Sequence, residues 1–238
     1  MFKKIKNIVF DILFPPLCFA CQKCLEEYRK NKIVCQKCCD SIPIYDSFFC
    51  PTCLARIPGK KLCHNDNPYL LAPVSHYDNL AVKSLICQFK YEGWSSAAQE
   101  LFKLTDIYFE KSALGRIIFQ NFFVMPIPLH ENREYKRGFN QALILADHIS
   151  RNFNIPLIKD DFIRIKDTES QAKQKNYRTR QENIKEAFKI NCSDNLKGKN
   201  IILVDDVFTS GATMNEAVKT LKEAGVKKII AFVLARAR

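Results

Sequence analysis

"IILVDDVFTSGAT", residues 201–213, is the stretch whose reading decides the fold. Ile201, Ile202, Leu203 and Val204 form an apolar run that leads straight into Asp205 and Asp206. Thr209, Ser210, Gly211, Ala212 and Thr213 follow, and then Met214, Ala217, Val218 and Leu221 recur at helical spacing. The string therefore reads as a buried strand, a polar turn and a helix start. In open α/β sheets, ligands bind beyond the carboxyl ends of the strands. The uncapped N–H groups and dipole of a helix start favour an anion there. Gly211 lets the backbone approach closely, and the hydroxyls add donors. Two adjacent carboxylates suit the vicinal hydroxyls of a sugar, so the combined pattern describes a ribose 5-phosphate. A receiver domain also ends a strand in paired aspartates, but it needs a further strand carrying the phosphoacceptor Asp. No aspartate follows Asp206. A P-loop would need Gly-Lys before Ser or Thr, and none stands here.

Working outward, the neighbouring segments supply the rest of such a fold. "FFVMPIP" at 122–128 reads as a buried strand, followed by the loop "LHENREYKRGFN". Ala142, Leu145, Ala146 and Ile149 then share one helix face, and 155–158 is short enough for a further strand. Upstream, Val82, Leu85, Ile86 and Phe89 fall at i, i+3, i+4 and i+7, and Leu101, Leu104 and Tyr108 continue the helical pattern. Strand 200–204, helix 212–224 capped by Gly225, and strand 228–234 complete the alternation. This order predicts an α/β fold with a mainly parallel sheet flanked by helices.

The first 72 residues have a different character. Nine of the 11 cysteines lie before Asn65. No signal peptide is recognised: Asp11 interrupts the apolar run near the N-terminus, and that run is too short to span a bilayer. The expectation is a cytoplasmic chain, where such cysteines hold metal rather than disulfides. Residues 6–14 read as a short amphipathic helix stopped by Pro15-Pro16. Cys18-x2-Cys21 and Cys35-x2-Cys38 offer four thiolates for one tetrahedral zinc. Cys50-x2-Cys53 joins Cys63, with His64 or Asp66 as fourth ligand; interleaved pairing of the knuckles is the alternative. Closed sites of this kind stabilise a fold rather than catalyse. The division expected is 1–72 for the helix and two zinc sites, and 73–238 for the α/β unit. The chain carries 37 Lys+Arg against 25 Asp+Glu, a net charge of +12, so a polyanion is the natural class of partner.

With these residues in view, 201–213 closely resembles the phosphoribosyl pyrophosphate (PRPP) motif of type I phosphoribosyltransferases. Over nearly its whole length the chain resembles the ComF family of competence-associated proteins. "DILFPPLCFAC" and the successive knuckles are similar to that family's double zinc ribbon, and "MPIPLHENREYKRGFNQALILA" to its strand-loop-helix segment. "TESQAKQKNYRTRQENIKEAF" is similar to its Thr-x2-Gln…Arg-x2-Asn…Ala-Phe stretch. Asp66 stands where that pattern has an eighth cysteine. The resemblance implies that Asp205 and Asp206 hold the ribose hydroxyls and that Thr209, Ser210, Gly211, Ala212 and Thr213 wrap the 5-phosphate. It places Arg133, Lys136, Arg137 and Gly138 in a pyrophosphate loop, where Arg is suited to bidentate contacts. Magnesium would accompany PRPP. The segment 168–180 matches a hood, and its cations Lys173, Lys175, Arg178 and Arg180 suit either that role or a nucleic-acid groove. The expected role is handling of single-stranded DNA during natural transformation, with other DNA-uptake proteins as partners. The alternative is phosphoribosyl transfer to an acceptor.

Overall fold

The structure is a computed structural model that describes residues 15–25, 32–57, 63–64, 67–92, 96–112, 121–167, 184–192 and 194–237. The helix expected at 6–14 lies outside the described residues. So do Asp66 and the 168–180 segment with Lys173, Lys175, Arg178 and Arg180.

In chain order the elements are α1 (Gln36–Asp40), β1 (Phe48–Phe49), β2 (Arg56–Ile57), β3 (Leu70–His76), α2 (Leu80–Glu92) and α3 (Ser96–Lys111). They continue with β4 (Phe122–Pro126), α4 (Glu131–Arg137), α5 (Gln141–Phe153), β5 (Phe162–Arg164) and β6 (Phe188–Ile190). The chain ends with β7 (Asn200–Phe208), α6 (Ala212–Glu223) and β8 (Lys228–Arg236). Six strands form one sheet in the order β2-β1-β3-β8-β7-β4, and β5 with β6 forms a separate antiparallel pair. Strands β3, β8, β7 and β4 are parallel, and β1–β2 is an antiparallel hairpin added at the β3 edge. The sheet is therefore mainly parallel and flanked by helices.

Alternation along the strands builds two cores. Ile202 and Val204 of β7, with Ile230, Phe232 and Leu234 of β8, face α2, α3 and α5. Ile201 and Leu203, with Ala231 and Val233, face α6 and the β5–β6 pair. The apolar helix faces expected from spacing all reach these cores, including Val82, Leu85, Ile86 and Phe89 of α2 and Met214, Ala217, Val218 and Leu221 of α6.

Several elements differ from the sequence expectation. Strand β3 was not anticipated, because Pro73 sits in its middle and proline normally argues against a central strand. Position 73 nevertheless pairs in register with Val233. The expected division between 72 and 73 falls inside this strand, and the β1 hairpin joins the same sheet. The loop at 129–140 contains the helix α4, with His130 as N-cap and Gly138 (φ 84°) as its left-handed C-cap. Residues 155–158 make only a single bridge, Leu157 to Val124. Strand β7 runs four residues past its expected end, to Phe208, because β8 keeps pairing with it as far as Arg236.

Two of these facts position a crevice. Strand β4 stops at Pro126, opposite Val204, so β7 emerges beyond it at Asp205. Helix α5 lies on one face of the sheet and α6, the helix after β7, on the other. The β4–β7 boundary is thus a topological switch point, where α/β sheets open a ligand crevice.

Candidate functional site

A cleft of about 500 Å³ occupies this switch point. Asp205, Asp206, Thr209 and Thr213 line it from the β7–α6 side, and Arg133 and Arg137 line it from α4. Arg133 and Arg137 are four apart and share a helix face. Lys136 lies off that face, and both it and Gly138 are exposed away from the cleft lining. Of the expected phosphate loop, Gly211 lines a narrow crevice with Thr209 and Thr213 beside the cleft, whereas Ser210 faces a second cavity behind it. Ala212 is buried as the first residue of α6. Gly211, at φ 76°, precedes α6 and has no side chain to cap it, so the turn presents backbone to the crevice.

Lys90, Gln141 and Arg164 also line the cleft and were not legible as site residues in the sequence. Lys90, from α2, places its Nζ 3.1 Å from Asp206 Oδ2, with both side chains largely buried. Its backbone carbonyl accepts from Gln141 Nε2 (3.1 Å), and Gln141 Oε1 accepts from Arg137 Nη1 (2.6 Å). This chain of contacts fixes Lys90 and Arg137 relative to one another. Arg164, at the end of β5, also reaches the cleft and is 9% exposed. Burial, together with the neighbouring Arg133 charge, pulls it down to about 10, so it remains cationic at neutral pH. Arg133 Nε stands 3.4 Å from Asp167 Oδ1, and Asn132 Nδ2 donates to Asp167 Oδ2 (3.1 Å).

The two acids differ. Asp205 Oδ1 accepts the backbone N–H of Asp206 at 2.8 Å. Burial, and then the Asp206 charge, push the Asp205 carboxyl up to about 7 against the pull of that N–H, Lys90 and Arg164. Burial alone would lower Lys90, but Asp206 in first place, with Asp205, holds it above the ordinary lysine value. The cleft thus carries a carboxyl near its titration point, a committed ion pair and three arginines.

The raised Asp205 value has a stability consequence with a definite sign. The folded state keeps a proton on Asp205 where the unfolded chain, near 3.8, has lost it. Stability from this group therefore falls as pH rises from about 4 to about 7, and stays low above that. Asp205→Asn is expected to flatten this part of the unfolding-midpoint profile and to raise the midpoint at pH 8. Thermal melts of both proteins from pH 4 to 8 check it; parallel profiles would show that Asp205 titrates normally.

Seven of the cysteines and His64 gather into two clusters, within each of which the ligand atoms all lie within 4.8 Å of one another: Cys18, Cys21, Cys35 and Cys38, and Cys50, Cys53, Cys63 and His64. Cys21 Sγ and Cys35 Sγ are 3.8 Å apart, which matches the edge of about 3.8 Å for a tetrahedron with Zn–S near 2.3 Å. In the second cluster, Cys53 Sγ–Cys63 Sγ is 3.4 Å, and His64 Nδ1 lies 3.5 Å from Cys50 Sγ and 3.4 Å from Cys63 Sγ. These donor sets fit zinc, and among the described residues His64 is the fourth donor. The pairing of knuckles is sequential. Backbone N–H groups of Cys35 and Cys53 point at Cys18 Sγ (3.3 Å) and Cys50 Sγ (3.5 Å), and Asn67 Nδ2 donates to Cys50 Sγ (3.1 Å). Such donors stabilise thiolate over thiol.

Comparison with known proteins adds an independent line. The family described as "Phosphoribosyl transferase domain" matches residues 140–238. Competence protein F of Haemophilus influenzae is 29% identical over 223 residues, 93% of this chain and 90% of that protein. Competence protein ComFC of Bacillus subtilis is 36% identical over 118 residues, 49% of this chain and 45% of that protein. The DNA utilization protein YhgH of Escherichia coli K12 is 26% identical over 219 residues, 91% and 89% of the two chains.

Proposed function

This chain belongs to the ComF family of competence proteins and carries a phosphoribosyltransferase domain, and from that premise we propose that its cleft takes PRPP or ribose 5-phosphate in the service of DNA uptake. One observation carries the reading. The acid pair, the start of α6 and the cations Lys90, Arg133, Arg137 and Arg164 converge on a single cleft at the switch point. Carboxylates suit the ribose hydroxyls, the Gly211 turn suits the 5-phosphate, and the arginines suit a diphosphate on the opposite wall. Magnesium is the ion expected to accompany such a diphosphate.

Calorimetry with PRPP and magnesium, and with ribose 5-phosphate, tests this. Asp206→Asn removes a charged acceptor and leaves Lys90 without its ion pair. Hydrogen bonds to charged groups contribute about 1.5–3 kcal/mol, so affinity should fall roughly tenfold to a hundredfold. No heat from either ligand with folded, metal-loaded protein would remove the reading.

Transfer to an acceptor is the second reading, and the arginines on the wall opposite the acid pair favour it, since they suit the pyrophosphate that would leave. Release of pyrophosphate from PRPP that disappears in Asp205→Asn would support it.

The net charge of +12 supports single-stranded DNA as the macromolecular partner, with other DNA-uptake proteins around it. Binding should weaken steeply with salt as counterions are released. Replacing Lys173, Lys175, Arg178 and Arg180 by Ala should flatten the slope in a fluorescence titration; an unchanged slope places the contact elsewhere. No helix among the described residues is long and apolar enough to cross a membrane.

A further inference from the structure

Behind the phosphate turn lies a second cavity of about 620 Å³, between that turn and the second cysteine cluster. Its walls are Tyr69 and Phe208 with Pro51, Pro68 and Leu54, and its polar rim is Thr52, Asn67, Asn215 and His64. Among the described residues lining it there is no Lys, Arg, Asp or Glu. The rim is ordered from within: Thr52 Oγ1 donates to Asn67 Oδ1 (2.8 Å), and Tyr69 Oη donates to Asn215 Oδ1 (2.6 Å). Asn67 in turn donates to Cys50 Sγ, so the rim is tied to the metal cluster.

The cavity adjoins the site described above. Phe208 and Thr209 line both it and the narrow crevice at Gly211, and Thr209 also lines the main cleft. Cavity and cleft thus lie on either side of the phosphate turn, with Thr209 as a wall residue of each. A chamber whose described residues give aromatic and proline walls, with amide and hydroxyl groups at the rim, is not built for a phosphate. It suits a flat, neutral, hydrogen-bonding group such as a nucleobase, which stacks on π-faces and pairs with amides.

We propose that this cavity is a nucleoside subsite, so that the ligand of the phosphate turn is a 5-phosphoribosyl group extended through its phosphate to a second nucleoside. The proposal rests on the ribose-phosphate reading of the cleft and deepens it. The sugar lies with Asp205 and Asp206, the linking phosphate crosses the Gly211 turn, and the second nucleoside occupies the chamber beyond Thr209. Two sources carry that chemistry: a small diphosphate-linked nucleoside, and a nucleic-acid strand passing through its phosphodiester. The second metal cluster acquires a role in this scheme, because His64 both completes the cluster and forms a wall of the chamber.

Calorimetry on the full, metal-loaded chain separates the cases. ADP-ribose is compared with ribose 5-phosphate, and a uridine dinucleotide with uridine 5′-monophosphate, since both pairs keep the vicinal hydroxyls. At least one extended probe is expected to bind about tenfold tighter than its short counterpart, the scale of one stacked base. Asn215→Trp, an exposed change on α6, fills the chamber and should erase that advantage while leaving ribose 5-phosphate within about twofold of the unmodified protein. Thr52→Trp, from the opposite wall and with its metal content checked, should do the same. An advantage confined to ADP-ribose assigns the small-molecule source, and one confined to the dinucleotide assigns the strand. Equal binding of extended and short probes, or an advantage that survives both Trp variants, overturns the subsite and leaves the ribose-phosphate cleft standing. Binding of extended probes without ribose 5-phosphate, abolished by Asn215→Trp, keeps the chamber and removes the ribose reading. No binding by any probe removes both.

Discussion

Gly211→Val is expected to abolish PRPP binding, lowering affinity by more than about a hundredfold, and to destabilise the fold as well. The backbone at Gly211 is left-handed, at φ 76°, a conformation that a β-branched residue adopts only at a cost of about 1–2 kcal/mol. A Cβ there would stand 2.7 Å from Phe208 Cζ and 3.2 Å from Cε2. The Phe208 ring is 4% exposed and packs beside Met214 and Ala212 on one side while lining the adjoining cavity on the other. Either the ring or the turn must shift, and a shifted turn carries with it the N–H groups that begin α6. The added methyls also enter the crevice between Thr209 and Thr213. Gly211→Ala should show the same direction with a smaller loss. Circular dichroism and thermal melting establish that the variant folds, with a midpoint a few degrees lower, and calorimetry reads the ligand. Binding within about threefold of the unmodified protein would show that the phosphate lies elsewhere.

Metal removal is the second large effect. Structural zinc in small domains contributes on the order of 10–16 kcal/mol to folding at neutral pH. Here the two clusters hold a segment with few apolar residues of its own: Leu25, Val34, Ile42, Phe48 and Ile57 join the same cluster as the main core. Elemental analysis should return two zinc ions per chain. Chelation should unfold the Cys-rich segment and lower the melting midpoint of the remainder. That coupling arises because β1 is hydrogen-bonded to β3, so the hairpin of the second cluster is an edge of the main sheet. Cys21→Ser should lose one ion and Cys53→Ser the other. His64→Ala should lose the second ion where Asp66→Ala keeps it; the reverse result assigns the fourth ligand to Asp66. Less than one zinc per chain in the unmodified protein would sink both sites. Hydrogen exchange that rises in residues 32–57 alone on chelation, with β3 unchanged, would show that the sheet does not transmit the loss.

The resemblance named the family from contiguous strings, and contiguous strings are also where the bare sequence is most informative about structure. A Cys-x2-Cys knuckle closes within four residues, so each knuckle could be read before any fold existed, whereas the pairing of Cys18 and Cys21 with Cys35 and Cys38 was decided by the fold. The β7–α6 junction was legible for the same reason. The apolar run, the acid pair and Gly211 are neighbours in the chain, and local geometry dictates a strand, a turn and a helix start. Helix faces such as Val82, Leu85, Ile86 and Phe89 declare themselves through the 3.6-residue period.

Tertiary structure decided what depends on distance along the chain. Lys90 meets Asp206 because α2 packs on the face of the sheet that α5 also covers, and no spacing in the sequence joins residues so far apart. Arg164 reaches the cleft from a three-residue strand too short to carry a period. Position 73 stands in a central strand although a proline there argues against one. His64 and Asp66 were equal as letters; closure of the chain around Cys50, Cys53 and Cys63 brings His64 Nδ1 within reach of their sulfurs, while Asp66 lies outside the described residues. The cleft itself follows from register. Strand β4 ends opposite Val204 while β8 carries β7 on to Phe208, so the two aspartates stand clear of one neighbour and supported by the other. A sequence specifies which residues favour a strand; how far each strand outruns its neighbours is settled only when the sheet pairs.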